Sequence, residues 1–202
     1  MVRQPQGIDQ SRMCRTTCAL LFACLWANPC ASQGCEDLKL ATATDAVNAL
    51  DHVEIKTAFC SRSAFQVIEN LPQEQAVPIL IKYLGFRRPT SNEAHGLRSQ
   101  YPAVDALAKL GLAAEPALID FIARQEDDNS VQRANALEAL GLLRRGDVVP
   151  TIKLLREHSA ALAGTPPAAR LDSAAKYLLK TFCPGKRLQK CEEGLQESDE
   201  DK

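Results

Sequence analysis

The chain has 202 residues, of which 46% are hydrophobic and 5% aromatic, and its formal net charge is −1. This composition is typical of a globular domain and excludes a collagen-like or wholly disordered chain. A near-neutral charge without a long basic stripe also argues against nucleic acid as a partner.

Residues 1–32 have the organisation of a secretory signal peptide. Arg12 and Arg15 precede a twelve-residue apolar run at 16–27, which is long enough for a signal peptide and too short to span a membrane. Small residues at 30–32 predict cleavage after residue 32. We therefore expect an exported protein, periplasmic or extracellular, with no transmembrane span after signal removal.

Three alternatives to this interpretation stay open. Residues 1–32 could form a buried N-terminal helix, or translation could start at Met13, which gives a shorter signal. Lipidation at Cys24 or Cys35 would make the protein an envelope lipoprotein, although the residues before Cys35 fit a lipidation motif poorly and the apolar run before Cys24 is too short.

The cysteines predict a pair of disulfides. Signal removal leaves Cys35, Cys60, Cys183 and Cys191, and an even number of cysteines in an exported chain favours disulfide bonds. We pair Cys35 with Cys60 and Cys183 with Cys191, although other connectivities stay open. The spacing of these cysteines does not match a zinc motif, so we expect no metal site.

The segment 129–159 predicts two short helices joined by a tight turn. Leu137 and Leu140 share one helix face, and Ser130 is suited to cap the first helix. Gly146 in the turn can adopt a positive φ. Neither helix can bury its apolar face alone, so both must pack on neighbouring helices.

Two upstream segments repeat this pattern. In each unit the first helix carries apolar residues three apart, and the second carries a proline two residues before an aliphatic residue. The prolines lie 38 and 34 residues apart, a period that indicates stacked helix pairs. The sequence thus predicts an all-α solenoid of about three to four helix pairs. The aligned residues are Phe65, Ile68 and Leu71; Val104, Leu107 and Leu110; Ala134, Leu137 and Leu140; and Pro78, Pro116 and Pro150.

Three segments of the sequence resemble HEAT-like repeats: AVPILIKYL, AEPALIDFI and VVPTIKLLR. The last two are preceded by the similar segments ALAKLG and ALEALG. The closest similarity is to the short bacterial type named after phycobilisome lyases, and it covers about 57–159. The resemblance implies an α–α superhelix that binds proteins or peptides. It also implies an alternative, an accessory or lyase-like enzyme.

The repeat domain is predicted to span residues 33–191. Leu171, Ala175, Leu178 and Phe182 fall on one face of a final capping helix. The acidic segment 192–202 is low in hydrophobicity, which predicts a disordered tail.

No catalytic or cofactor-binding motif stands out. His52, His95 and His158 are isolated in the sequence, and no glycine-rich phosphate loop occurs. His52 with Cys60 could form a base and a nucleophile, but Cys60 is better explained as a disulfide cysteine. We therefore expect a protein that is not an enzyme and needs no cofactor.

The polar insertion at 85–101 is the first candidate binding site. Arg87, Arg88, His95 and Arg98 lie close in sequence to Tyr101, and cations beside aromatic rings can bind an anion or a peptide carboxylate. The partner would then be a protein or peptide, acidic in character. The alternative is an ordinary solvated insertion.

Two further pairs of residues are weaker candidates. Asp105 and Asn135 occupy equivalent positions, each just before Ala-Leu, and could line a ligand groove. Hydrogen bonds to the backbone of the adjacent repeat are the favoured alternative. Arg144 and Arg145 could meet an acidic partner, but two basic residues in a turn are usually just solvated.

These observations predict an exported scaffold or interaction module that binds a protein or peptide partner. A structural envelope lipoprotein and a lyase-like accessory enzyme are the alternatives.

Overall fold

The computed structural model describes residues 40–51, 58–88, 100–127 and 130–196, all within one compact unit. These residues form nine α-helices, a short 3-10 helix and no β-strand, which confirms the predicted all-α class. The helices are α1 (Ala43–Asp51), α2 (Ala58–Glu69), α3 (Gln73–Lys82), α4 (Pro102–Leu110), α5 (Glu115–Arg124), α6 (Val131–Leu142), α7 (Val149–Ala161), α8 (Pro166–Phe182) and α9 (Lys186–Gln196); the 3-10 helix is Gly111–Ala114.

The helices pack in a regular order along the chain. Each of α2, α4, α6 and α8 contacts the next member of that series, and α3 contacts α5. In addition, α2 contacts α3, and α7 packs against the following helix α8. Their shared core contains Leu107, Leu137 and Leu140, as the apolar spacing predicts.

Helix α6 lies in the middle of this packing and is buried on most sides. Ser130 caps it, because the Ser130 side chain accepts a hydrogen bond from the Arg133 backbone N–H, as predicted. The repeat pattern aligns Ala134 with the buried Leu137 and Leu140, but the structure does not bury it. Ala134 is exposed, while its neighbours Arg133 and Asn135 are buried because both donate hydrogen bonds to other helices or their ends.

Two arginines close the C-terminal end of α5. Arg133 Nη1 donates to the Ile122 carbonyl oxygen at 3.0 Å, and Arg170 Nε donates to the Ala123 carbonyl oxygen at 2.8 Å. Arg133 Nη2 also reaches the carbonyl oxygen of Arg170. The last carbonyls of a helix lack partners within the helix and carry partial negative charge, so guanidinium groups suit them. The two arginines therefore fix the end of α5 to α6 and α8.

The turn between α6 and α7 contains two residues in the left-handed region, Arg145 at φ 56° and Gly146 at φ 89°. The predicted role of Gly146 is thus confirmed. Arg144, in the same turn, points inwards and pairs with Glu115, with 2.9 Å between Nη2 and Oε2. The hydroxyl of Thr151 donates to Glu115 Oε1 at 2.6 Å. The Arg144 side chain therefore links α5 to the α6–α7 turn.

At the N-terminal edge, Tyr83 joins the end of α3 to α1. Its hydroxyl lies 2.7 Å from Asp51 Oδ1 and 3.2 Å from the Val47 carbonyl oxygen. Lys82 Nζ pairs with Asp51 Oδ2 at 2.8 Å. Burial and the hydrogen bond to Asp51 raise the pKa of Tyr83 above its ordinary value.

The C-terminal helices confirm part of the prediction and correct the rest. Helix α8 buries Leu171, Ala175 and Leu178, as their spacing predicts, but it is not the final helix, because α9 follows it. The disulfide Cys183–Cys191 forms as predicted, with an S–S distance of 2.03 Å.

The predicted start of the tail at Glu192 is wrong, because α9 continues to Gln196. The disulfide ties α9 to the end of α8, and Leu195 is buried in the core, so the acidic composition does not prevent folding there. Residues 197–202 lie outside the described residues. Cys60 is buried and disulfide-bonded. Its predicted partner Cys35 lies outside the described residues, so that pairing stays a prediction.

Candidate functional site

A groove of about 580 Å³ runs between α2 and α4. This volume lies within the range of small-molecule and peptide side-chain pockets, about 300–1,000 Å³. Phe65 and Pro102 supply apolar surface. The polar lining consists of Arg62, Gln66, Glu69, Arg88, Asp105 and Lys109.

Helical spacing explains why these side chains meet. On α2, residues 62, 66 and 69 are four and three positions apart, so they share one helix face. On α4, residues 102, 105 and 109 are spaced three and four apart in the same way. The two polar stripes face each other because α2 and α4 pack side by side.

An ion pair spans the groove at one end. Lys109 Nζ on α4 lies 2.9 Å from Glu69 Oε2 on α2 and 3.1 Å from Oε1. The Lys109 side chain is 67% exposed, so solvent weakens this attraction. The pair cancels the charge at this end of the groove and leaves the other end to determine its electrostatic character.

Arg88 dominates the other end of the groove. Its backbone N–H donates to the Gln100 carbonyl oxygen at 2.8 Å, which closes the base of the insertion. Its Nε is buried and has no hydrogen-bond acceptor in the structure described here. Burial lowers the pKa of Arg88, and the charge of Arg62 lowers it further, whereas Asp105 opposes the shift. The guanidinium nevertheless stays protonated, as arginines in proteins do.

The structure brings together two predicted site residues that are separated in the sequence analysis. Arg88 comes from the insertion and Asp105 from the repeated column, and both line the groove. Arg87 is exposed and does not line the groove. Tyr101 is half-buried and packs against the core at the start of α4.

The remaining candidates lie elsewhere. Asn135 is buried, and its Nδ2 donates to the Leu84 carbonyl oxygen at 2.6 Å. This is a bond to backbone, as favoured above, but to the first repeat unit rather than to the adjacent second one. His95 and Arg98 lie outside the described residues, so their predicted role in binding stays a prediction.

Sequence reasoning missed Arg62, Glu69 and Lys109 as groove residues. Lys109 is an exposed residue of α4, and Arg62 and Glu69 belong to a polar stripe on α2 that a periodicity analysis assigns to a solvated face. That stripe identifies which residues point outwards but not which helix they face.

The described residues show no metal-binding group of three or more His, Cys, Asp or Glu side chains. Nor, within the part of the chain that the structure covers, does any helix have the length and apolar character to cross a membrane.

No protein-family model matches the chain, and no curated protein or solved structure is significantly similar to it. The resemblance to HEAT-like repeats therefore rests on the repeated phrases in the sequence.

Proposed function

We propose that this protein is an exported, non-catalytic interaction module whose α2–α4 groove binds a segment of a protein or peptide partner. The observation that carries the proposal is the groove itself. It has the volume of a binding pocket, its walls are two packed helices, and its lining combines apolar surface with charged side chains. Rigid helices hold such groups in place without a mobile loop.

A HEAT-like superhelix is the architecture we propose for the domain. In its favour, helices α2, α4 and α6 contact one another in succession, and α3 contacts α5, as the elements of stacked pairs do. Each contact joins one proposed repeat to the next. Grooves between equivalent helices then recur along such a stack, and the α2–α4 groove is one of them.

Export is supported by the Cys183–Cys191 disulfide, since structural disulfides persist in oxidising compartments. The disulfide is compatible with a periplasmic or extracellular location and does not distinguish between them. Sequencing the N-terminus of the exported protein tests the predicted cleavage after residue 32.

The test of binding is site-specific photo-crosslinking in the native host. A photoreactive residue replaces Gln66, which is exposed and lines the groove. The control position is Gln75 on α3, which is also an exposed glutamine but lies outside the groove. We expect an adduct with a defined partner from position 66 only, reproduced with the purified partner. Equal adducts from both positions, or none, would contradict the proposal.

A further inference from the structure

Arg88 has a hydrogen-bond donor that the described residues do not use. Its Nε is buried and has no acceptor among them, and Arg88 lines the groove. A buried donor without a partner is unfavourable, and a buried charged donor more so. The group that would complete this site is therefore a hydrogen-bond acceptor, and an anionic acceptor fits the positive charge best.

The charges around Arg88 specify the kind of anion. The charges of Arg62 and Asp105 both act on Arg88. The two arginines each carry one positive charge, and Asp105 carries one negative charge. Glu69 and Lys109 cancel each other at the far end. Among the described lining residues, the groove therefore has one positive charge in excess, which matches a carboxylate better than a dianionic phosphate.

We propose that the Arg62–Arg88 end of the groove is a subsite for an aspartate or glutamate side chain of a bound acidic peptide. This inference rests on the proposed function and names the chemistry of its partner. Guanidinium groups bind carboxylates through paired, charge-assisted hydrogen bonds with a defined geometry. Phe65 and Pro102 offer apolar surface to the aliphatic part of such a side chain.

The test uses two synthetic peptides of equal length. One alternates glutamate and glycine, and the other has glutamine at every glutamate position. Binding is followed by calorimetry and by the nitrogen-15 resonances of the arginine Nε–Hε groups. We expect the glutamate peptide to shift the signals of Arg88 and Arg62, and the glutamine peptide to leave them unchanged. Affinity for the glutamate peptide should fall as salt rises.

Arg87 provides a matched control for Arg88. It is adjacent in sequence and carries the same charge, but it is exposed and outside the groove lining. Arg88→Ala should weaken binding of the glutamate peptide about ten-fold or more, the loss expected for a charge-assisted hydrogen bond. Arg87→Ala should change it by about two-fold at most, as for an exposed charge. Thermal unfolding of both variants checks that they remain folded.

Three results would overturn the subsite. These are equal shifts with both peptides, equal losses in Arg87→Ala and Arg88→Ala, or stronger competition by inorganic phosphate than by acetate. If the photoreactive residue at position 66 captures a partner whose binding does not depend on Arg62 or Arg88, the proposed carboxylate subsite is wrong and the proposed interaction module is supported. If the glutamate peptide binds through Arg88 while position 66 captures nothing, the subsite stands and the proposed function fails.

Discussion

Gly141 on α6 lies against Phe182 at the end of α8, and replacing it by alanine tests the packing of the domain. A Cβ at this position would lie 2.3 Å from Cε2 and Cζ of Phe182. Carbon atoms normally pack at about 3.5–4.0 Å, so the overlap exceeds about 1 Å. Alanine favours the helix by about 1 kcal/mol, whereas overpacking costs about 1–3 kcal/mol. With an overlap this large we take the upper end of that range, so Gly141→Ala should lower the free energy of unfolding by about 2 kcal/mol.

The measurement is urea unfolding followed by far-ultraviolet circular dichroism. Gly194 in α9 is the matched control, because a Cβ there would lie 3.4 Å from Val149 Cγ1, an ordinary contact. Gly194→Ala should therefore stabilise the protein by about 0.5–1 kcal/mol through helix propensity. In a Phe182→Leu background the cost of Gly141→Ala should shrink, since the ring causes the clash. If Gly141→Ala is as stable as the unmodified protein, the described α6–α8 contact is wrong.

Three further predictions concern stability. Leu137→Ala should cost about 2–5 kcal/mol in chemical unfolding, because the side chain is buried in the shared core; a loss below that range would place Leu137 at the surface. Replacing Cys183 and Cys191 by serine should cost about 2.5 kcal/mol, since the cysteines close a loop of sequence separation 8; unchanged stability would mean that the bond constrains little. The pKa of Tyr83 is higher in the folded protein than in the unfolded chain. The contribution of Tyr83 to stability is therefore complete at a pH below its pKa in the unfolded chain, and it is lost as the pH rises through its pKa in the folded protein. Unfolding in a pH series should thus show a loss of stability above about pH 10 that Tyr83→Phe removes, and a loss that persists in Tyr83→Phe would have another origin.

The all-α class was predictable because its signals are local. Leu137 and Leu140 are close in sequence, and their spacing alone places them on one buried face. The same reasoning fails for Arg133 and Asn135, because polar side chains normally occupy the exposed face of a helix. Their acceptors, the carbonyls of Ile122 and Leu84, come from distant segments, so only the tertiary structure shows why both residues are buried.

The candidate site was less predictable for a related reason. Arg88 was suspected from the local concentration of arginines, but Arg62 sits in a stripe that resembles any solvated helix face. The two side chains share the groove because α2 packs on α4, which sequence spacing does not encode. In the tail, composition favoured disorder from Glu192, yet the disulfide and Leu195 hold α9 in place.

The position of the groove has a thermodynamic consequence. Its walls, α2 and α4, are separate helices, so a ligand can contact both walls only while the two helices remain docked. By mass action, a ligand that binds only the folded arrangement stabilises it, by about 2.7 kcal/mol at a hundred times its Kd. The melting temperature of the protein can thus report occupancy of the groove without any label. A library of peptides can be searched in this way before any partner is known.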